Sequence, residues 1–365
     1  MKKGNKFIRI FLLPLSALYG IVVSVRNKMF DYNILKSLEF NIPVISVGNI
    51  TVGGTGKTPH IEYLVSILKN QFNVATLSRG YKRKSKGYLV ADQTSTVYDI
   101  GDEPKQIKQK FNDITVAVCG SRVNGINKLL SGEADKKLNI ILLDDAFQHR
   151  YVRPGLSILL IDYNRPITKD FLLPYGNLRE RAHHMKRANI IIVSKTPKDL
   201  KPIDRRIMEK ELEIFPYQTM YFTSLKYGNP VSVFGQIKKN YLLDEESEIL
   251  LVTGISTPRP LFEYLQKITL KVEHLVFSDH HNFTEKDIEL IKSEFHNMEG
   301  GNKVIITTEK DAMRFQDLEF REVLEQLPIF FIPLEIDFIL KDKEKFDKQI
   351  INYVTTNKRN SKLHS

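Results

Sequence analysis

Thr51-Val52-Gly53-Gly54-Thr55-Gly56-Lys57-Thr58 constrains the fold of this chain more than any other segment. The apolar run 43–47 precedes it, and Ile61, Leu64, Val65, Leu68 and Phe72 follow on one helical face. A glycine-rich turn that passes from a strand into a helix is the setting of a phosphate-binding loop, in which backbone N–H groups curl around phosphate oxygens. There Lys57 reaches the β and γ oxygens of a nucleotide, and Thr58 can place its hydroxyl on Mg²⁺. Thr51 stands where the strict pattern has its first glycine, so the match is incomplete. The bland alternative, a glycine-rich turn with no ligand, is disfavoured by the strand and helix on either side.

Short β-rich runs alternating with helical patterns extend this start into a parallel sheet. Candidate strands at 43–47, 74–77, 115–118, 140–143, 158–161 and 190–193 suffice for one doubly wound domain. From Thr196 to Glu246 the periodicity fades into a charged, proline-punctuated stretch, read as connecting material. Alternation resumes at 249–253, 272–277, 304–307 and 329–333, implying a second, smaller lobe. The length of 365 residues suits two lobes better than one core. The expected fold class is α/β: a P-loop NTPase-like parallel sheet covered by helices, with a second, smaller α/β lobe and an N-terminal membrane-associating helix. The boundaries are 1–30 for that helix, 31–225 for the main lobe, 226–350 for the smaller lobe and 351–365 for a polar tail, frayed from Thr355.

Residues 7–25 form the one strongly apolar stretch, close to the ~20 residues that cross a bilayer. A cleaved signal peptide would end in small residues, whereas this stretch runs into Arg26, Asn27 and Lys28. Arg9 and Pro14 weaken a spanning helix. On a helical wheel Lys2, Asn5, Arg9, Ser16, Gly20, Ser24 and Asn27 gather on one narrow side, while Phe11, Leu15, Leu18 and Val22 point elsewhere. That is the pattern of a helix lying in the membrane interface. A spanning helix and a helix buried in the protein's own core remain the alternatives.

The net charge of +11 calls for an anionic partner: nucleic acid, an anionic membrane surface or a phosphorylated substrate. No basic run is interleaved with aromatics, no Cys/His finger spacing is present and Trp is absent, so no nucleic-acid partner is expected. The single cysteine, Cys119, excludes an intramolecular disulfide and a four-cysteine metal site.

Asn139-Ile140-Ile141-Leu142-Leu143-Asp144-Asp145 is an apolar strand ending in two carboxylates. A buried parallel strand would deliver Asp144 beside the phosphate loop, where it can hold Mg²⁺ or its waters. Two P-loop classes fall on inspection. A GTPase would need Asn-Lys-x-Asp, and Ser194-Lys195-Thr196-Pro197 lacks both the Asn and the carboxylate. A partition-type ATPase would carry a lysine just before the paired glycines, where Val52 stands.

The loop and the Asp-Asp strand sit within an ordered series. Its members are Ser46-Val47-Gly48-Asn49, Ser78-Arg79-Gly80-Tyr81, Gly101-Asp102-Glu103-Pro104, Arg122 with Gly125, and Asp144-Asp145-Ala146-Phe147-Gln148-His149. Leu173-Pro174-Tyr175-Gly176-Asn177-Leu178-Arg179-Glu180, Thr253-Gly254-Ile255, Asp279-His280-His281 and Thr307-Thr308-Glu309-Lys310-Asp311-Ala312 complete it. Together these segments resemble the tetraacyldisaccharide 4'-kinase (lipid A 4'-kinase) family, in the family's order from about Ser46 to Ala312. Ala146 departs from the glycine usual there.

The resemblance implies an ATP- and Mg²⁺-dependent kinase whose acceptor is the 4'-hydroxyl of a lipid-linked disaccharide, a tetraacyldisaccharide 1-phosphate, and whose product is lipid IVA. The ATP-dependent part is expected on the cytoplasmic face of the inner membrane, held there by the N-terminal helix, and the chain is expected to be a monomer. Phosphoryl transfer needs a base near the acceptor and cations on the γ-phosphate. Asp102 is the candidate base, the role that the resemblance gives the matching Asp, and the resemblance suggests His280 as its partner from the smaller lobe. Lys57, Arg122 and Arg179 are the candidate cations, since guanidinium forks fit phosphate oxygens. Thr58, Asp144 and Glu103 are the candidate metal ligands, and Asp145 and Gln148 are candidate nucleotide-positioning groups. Asp102 and His280 could instead be a turn former and a surface histidine, and each arginine a surface ion pair. Two other functions stay open from the residues alone: a kinase of another membrane-proximal metabolite, or a membrane-docked nucleotide switch.

Overall fold

Residues 11–132, 137–235, 241–317, 319 and 321–363 are described by a computed structural model of the chain. The first strands in chain order are β1 (Val44–Asn49), β2 (Val74–Ser78), β3 (Tyr88–Val90), β4 (Thr115–Cys119) and β5 (Ile140–Asp144). They are followed by β6 (Leu156–Asp162), β7 (Ile190–Ser194), β8 (Thr219–Tyr227) and β9 (Val231–Ser232). The remaining five are β10 (Glu248–Thr253), β11 (Val272–Val276), β12 (Lys303–Thr308), β13 (Ile329–Ile332) and β14 (Leu334–Phe338).

The main lobe is a nine-stranded sheet in the order β14-β8-β7-β6-β1-β5-β2-β4-β3. From β8 to β4 every pairing is parallel, and the two outermost strands run antiparallel. Parallel strands covered on both faces are buried along their whole length, which is why β1, β2, β5, β6 and β7 are mostly apolar with only scattered polar residues such as Ser46, Thr76 and Ser157. Ile61, Leu64, Val65 and Leu68, from the helix Lys57–Leu68, fill one face of the sheet. Leu77, Ile126, Leu129 and Val152 fill part of the other.

The smaller lobe is a five-stranded sheet in the order β11-β10-β12-β13-β9, parallel except for the edge strand β9. All six strands expected for the main lobe and all four expected for the second are present within one or two residues of their expected limits.

The lobe boundaries differ from those expected. The stretch read as connecting material contains β8, a largely buried nine-residue strand of the main sheet. After β13 the chain returns to the main lobe, because β14 pairs with β8. The tail expected to be polar and frayed belongs to the helix Lys343–Leu363, whose Phe346, Ile350 and Val354 pack against Tyr221 and Phe338. Residues 364 and 365 lie outside the described residues.

The N-terminal stretch forms the helix Leu12–Asp31, with Pro14 in its first turn, where no backbone N–H is needed. Ser16, Gly20, Asn27 and Phe30 face the protein, while Leu13, Leu15, Leu18, Ile21, Val22 and Val25 are exposed. The polar stripe of the helical wheel therefore points inward and the apolar face outward. Lys2, Asn5 and Arg9 lie outside the described residues. Among the described residues no helix is long and apolar enough to cross a membrane, so the spanning alternative finds no support.

Candidate active site

The phosphate loop joins β1 to the helix Lys57–Leu68 and needs left-handed backbone at Gly53 (φ +92°) and Gly56 (φ +85°). Its carbonyls are held from outside. Arg165 donates to the Val52 carbonyl at 3.2 Å, Lys195 to that of Gly54 at 2.6 Å and the Ser194 hydroxyl to that of Thr55 at 2.8 Å. Asp162 accepts from both Arg165 and Lys195 and so steadies this brace. With these carbonyls turned out and the Val52 N–H donating to the Asn177 carbonyl at 2.8 Å, the loop's later N–H groups are left to face a phosphate. Behind the loop, His60 bonds the Gly56 carbonyl at 2.7 Å, and burial pushes its pKa down to about 4, so it is neutral.

Register places Val47 of β1 opposite Asp144 of β5, which brings the Asp-Asp pair beside the loop. Burial, then the neighbouring Asp145 and Glu103 carboxylates, raise Asp144 to about 6. Its Oδ1 atom is buried and has no hydrogen-bond partner among the described residues. Asp145, at a left-handed φ of 47°, contacts Lys57 at 3.6 Å and Arg179 at 3.3 Å. Burial works to raise Asp145, but the Lys57 and Arg179 charges outweigh it and hold the carboxyl below its usual range.

The second half of the site is built between the lobes. Asp102 opens the helix Asp102–Lys110, preceded by Gly101 at φ +93°, where an added Cβ would meet the Tyr81 carbonyl at 3.0 Å. His280 Nδ1 lies 2.8 Å from Asp102 Oδ2, and the His280 backbone N–H donates to the Gly254 carbonyl. Arg314 binds the same Asp102 oxygen and also pairs with the fully buried Asp311 at 2.7 Å. Burial would raise Asp102, yet the hydrogen bonds from His280 and Arg314 outweigh it and hold the carboxyl at about 2. Lys310 pairs with Glu103.

Several expectations need adjusting. Arg122, expected on phosphate, is buried and donates to the backbone carbonyls of Asp144 and Cys119, so it braces the end of β5. Gln148 likewise donates to the Asn49 carbonyl at 2.7 Å. Glu103, expected on the metal, is engaged by Lys310. Thr58 is buried in the first turn of the loop helix, and Thr51 makes an isolated bridge with Leu178. Lys310 falls in the segment 307–312 singled out from the sequence but is given no role there, and Arg314 is not singled out at all. The only signal for Arg314 is its i, i+3 spacing from Asp311.

Among the described residues no group of three or more His, Cys, Asp or Glu side chains is spaced to hold a metal by itself. Mg²⁺ usually takes one or two protein oxygens and completes its shell with phosphate and water. The orphaned Asp144 oxygen and the Thr58 hydroxyl fit that demand.

A phosphate loop on a parallel sheet, faced by ionisable groups from a second lobe, places the chain among the P-loop phosphotransferases. Within that class the likeness is specific. Residues 8–355 match the family described as Tetraacyldisaccharide-1-P 4'-kinase, and the chain belongs to that family. The tetraacyldisaccharide 4'-kinase of Phocaeicola vulgatus is 48% identical over 98% of this chain and 99% of its own length. That of Bacteroides thetaiotaomicron is 47% identical over 97% and 96%. Among solved structures, that of LpxK from Aquifex aeolicus in complex with ATP has a TM-score of 0.72 at 28% identity, covering 95% of this chain and 99% of that one.

Proposed function

We propose that this chain transfers the γ-phosphate of ATP to the 4'-hydroxyl of a tetraacyldisaccharide 1-phosphate, forming lipid IVA. Family membership and the ATP-bound relative support the reaction. The observation that carries the chemistry is the 2.8 Å contact between Asp102 and His280, made between the lobes.

The loop amides and Lys57 bind the β- and γ-phosphates, while Arg179 adds a second cation next to Asp145. Asp102 receives the acceptor's proton. A carboxyl held near pH 2 is a weak base, so the proton moves late, as the new O–P bond acidifies the alcohol. That timing suits a loose transition state with little early demand on the nucleophile. His280 fixes the carboxyl by donating from Nδ1. Asp144 and Thr58 would hold Mg²⁺, which would supply neutralisation of charge on the phosphate oxygens.

The working surface in this reading is the cytoplasmic face of the inner membrane, and the chain acts as a monomer. The exposed row Leu15, Leu18, Ile21, Val22 and Val25 on the N-terminal helix supports attachment to a membrane interface. An apolar helix face of this kind binds an interface rather than crossing a bilayer.

The experiment incubates the purified full chain with γ-labelled ATP, Mg²⁺ and a panel of acceptors including the tetraacyldisaccharide 1-phosphate. Label on its 4'-position, located by mass spectrometry, is the expected result. No transfer to this acceptor overturns the proposal, whether another acceptor is labelled or ATP is merely hydrolysed.

A further inference from the structure

The inward stripe of the N-terminal helix does more than pack. Ser16 Oγ donates to the Leu172 carbonyl at 2.8 Å, and the Tyr19 hydroxyl donates to the Arg179 carbonyl at 2.8 Å. Asn27 Nδ2 donates to Glu180 Oε2 at 3.0 Å, and Arg26 reaches the Gln148 carbonyl at 3.3 Å. Gly20 lies so close to Leu172 that an added Cβ would meet its Cδ1 at 2.8 Å. One side of a single helix thus grips the segment 172–180 and the turn after β5. Those are the pieces of chain that carry Arg179 and Gln148.

Arg179 is held on several sides. Its backbone N–H donates to the Ile50 carbonyl at 2.7 Å, just before the phosphate loop, and its carbonyl accepts from Tyr19. Glu180 also accepts from Arg187 at 2.8 Å, which fixes the next residue. The guanidinium of Arg179 then meets Asp145 at 3.3 Å. A helix that served only as an anchor would need its outward apolar face and none of these polar contacts.

We propose that the N-terminal helix is a working part of the active site, with Tyr19 and Asn27 as positioning residues that set Arg179 against Asp145. The proposal rests on the phosphotransfer reading above. Because the gripping face and the apolar face are two sides of one helix, seating that helix at a lipid surface also sets the register of the arginine.

The test compares full-length wild type with Tyr19→Phe, Arg179→Lys and the double variant, using ATP and the tetraacyldisaccharide 1-phosphate in detergent micelles. Tyr19→Phe removes one hydroxyl from a partly buried ring and leaves the outward face intact. Losing that hydrogen bond lowers kcat about five-fold with the KM for ATP unchanged. In the Arg179→Lys background the same change has no further effect, since the positioned guanidinium is already gone. Binding to phosphatidylethanolamine–phosphatidylglycerol vesicles stays at the wild-type level.

Wild-type kcat in Tyr19→Phe overturns the proposal, and so do losses that multiply independently in the double variant. A kcat loss matched by an equal loss of vesicle binding also overturns it, because the hydroxyl would then serve anchoring alone. An inactive wild type is a different failure, that of the phosphotransfer reading.

Discussion

His280 Nδ1 lies 2.8 Å from Asp102 Oδ2, although 178 positions separate the two residues and they belong to different lobes. Each is delivered by unusual backbone: Gly101 at φ +93° before Asp102, and His280 itself at φ +55°. Arg314, also from the smaller lobe, binds the same carboxylate oxygen. Both partners of the candidate base therefore come from the lobe opposite Asp102.

His280→Ala is expected to lower kcat by about 10²-fold, the low end of the range for lost acid–base assistance, with the KM for ATP unchanged. Steady-state kinetics with ATP varied at saturating acceptor measures both. A change confined to KM would move His280 from the proton path to nucleotide binding.

Lys57→Ala is expected to cost about 10²–10³-fold in kcat, as expected for one preorganised cation on the transferring group. It also releases Asp145 from its 3.6 Å contact and leaves the 3.3 Å contact with Arg179 in place. Calorimetric titration with ATP and Mg²⁺ then separates weaker binding from slower transfer. Unaltered turnover would contradict the assignment of the phosphate loop.

Leu18 and Val22 are both more than half exposed on the outward face of the N-terminal helix. Replacing both with Asp is expected to weaken vesicle binding by at least about ten-fold, since burying each such side chain contributes about 1.5–3 kcal/mol. Flotation with vesicles measures this. Binding undiminished in high salt would mean that the apolar face is not what holds the chain to lipid.

Glu309 supplies a pH test. Burial, then the Glu62 carboxylate, raise its pKa to about 7, with Lys110 opposing at 3.6 Å. An unfolded glutamate titrates near ~4.3, so between that pH and about 7 the folded state binds more protons and stability falls as pH rises. Glu309→Gln is therefore expected to raise the melting temperature by about 1–3 °C at pH 8 and to change it little at pH 4.5. Thermal melts at the two pH values decide the matter, and equal shifts at both would mean that the buried charge of Glu309 is not the cause.

Burial explains what can be read from the sequence. The runs in β1, β5, β6 and β7 are legible because a strand covered on both faces has no polar side to interrupt it. Strand β8 is hidden because its threonines, serine and lysine mix with aromatics inside a charged stretch. Strand β14 alternates Leu334, Glu335, Ile336 and Asp337, an edge pattern too short to stand out. Phe346, Ile350 and Val354 keep the i, i+4, i+8 spacing of a packed helix, masked by the polar residues between them.

At the site, the loop and Asp144 follow from local pattern, whereas the Asp102–His280 pairing is suggested by family likeness. Arg122 departs from expectation because an arginine's role depends on which oxygen it meets, and that oxygen is a backbone carbonyl. The stripe of Ser16, Gly20 and Asn27 is legible, but not that it faces the protein.

Transfer of the acceptor's proton to Asp102, with ATP held in the phosphate loop, is the step on which the proposed chemistry stands. Rapid-quench analysis of a single turnover isolates that step, comparing wild type with Asp102→Asn at saturating ATP and tetraacyldisaccharide 1-phosphate. The variant is expected to bind ATP as wild type does but to transfer phosphate about 10²–10⁴-fold more slowly. Transfer at an undiminished rate in Asp102→Asn would rule out Asp102 as the base.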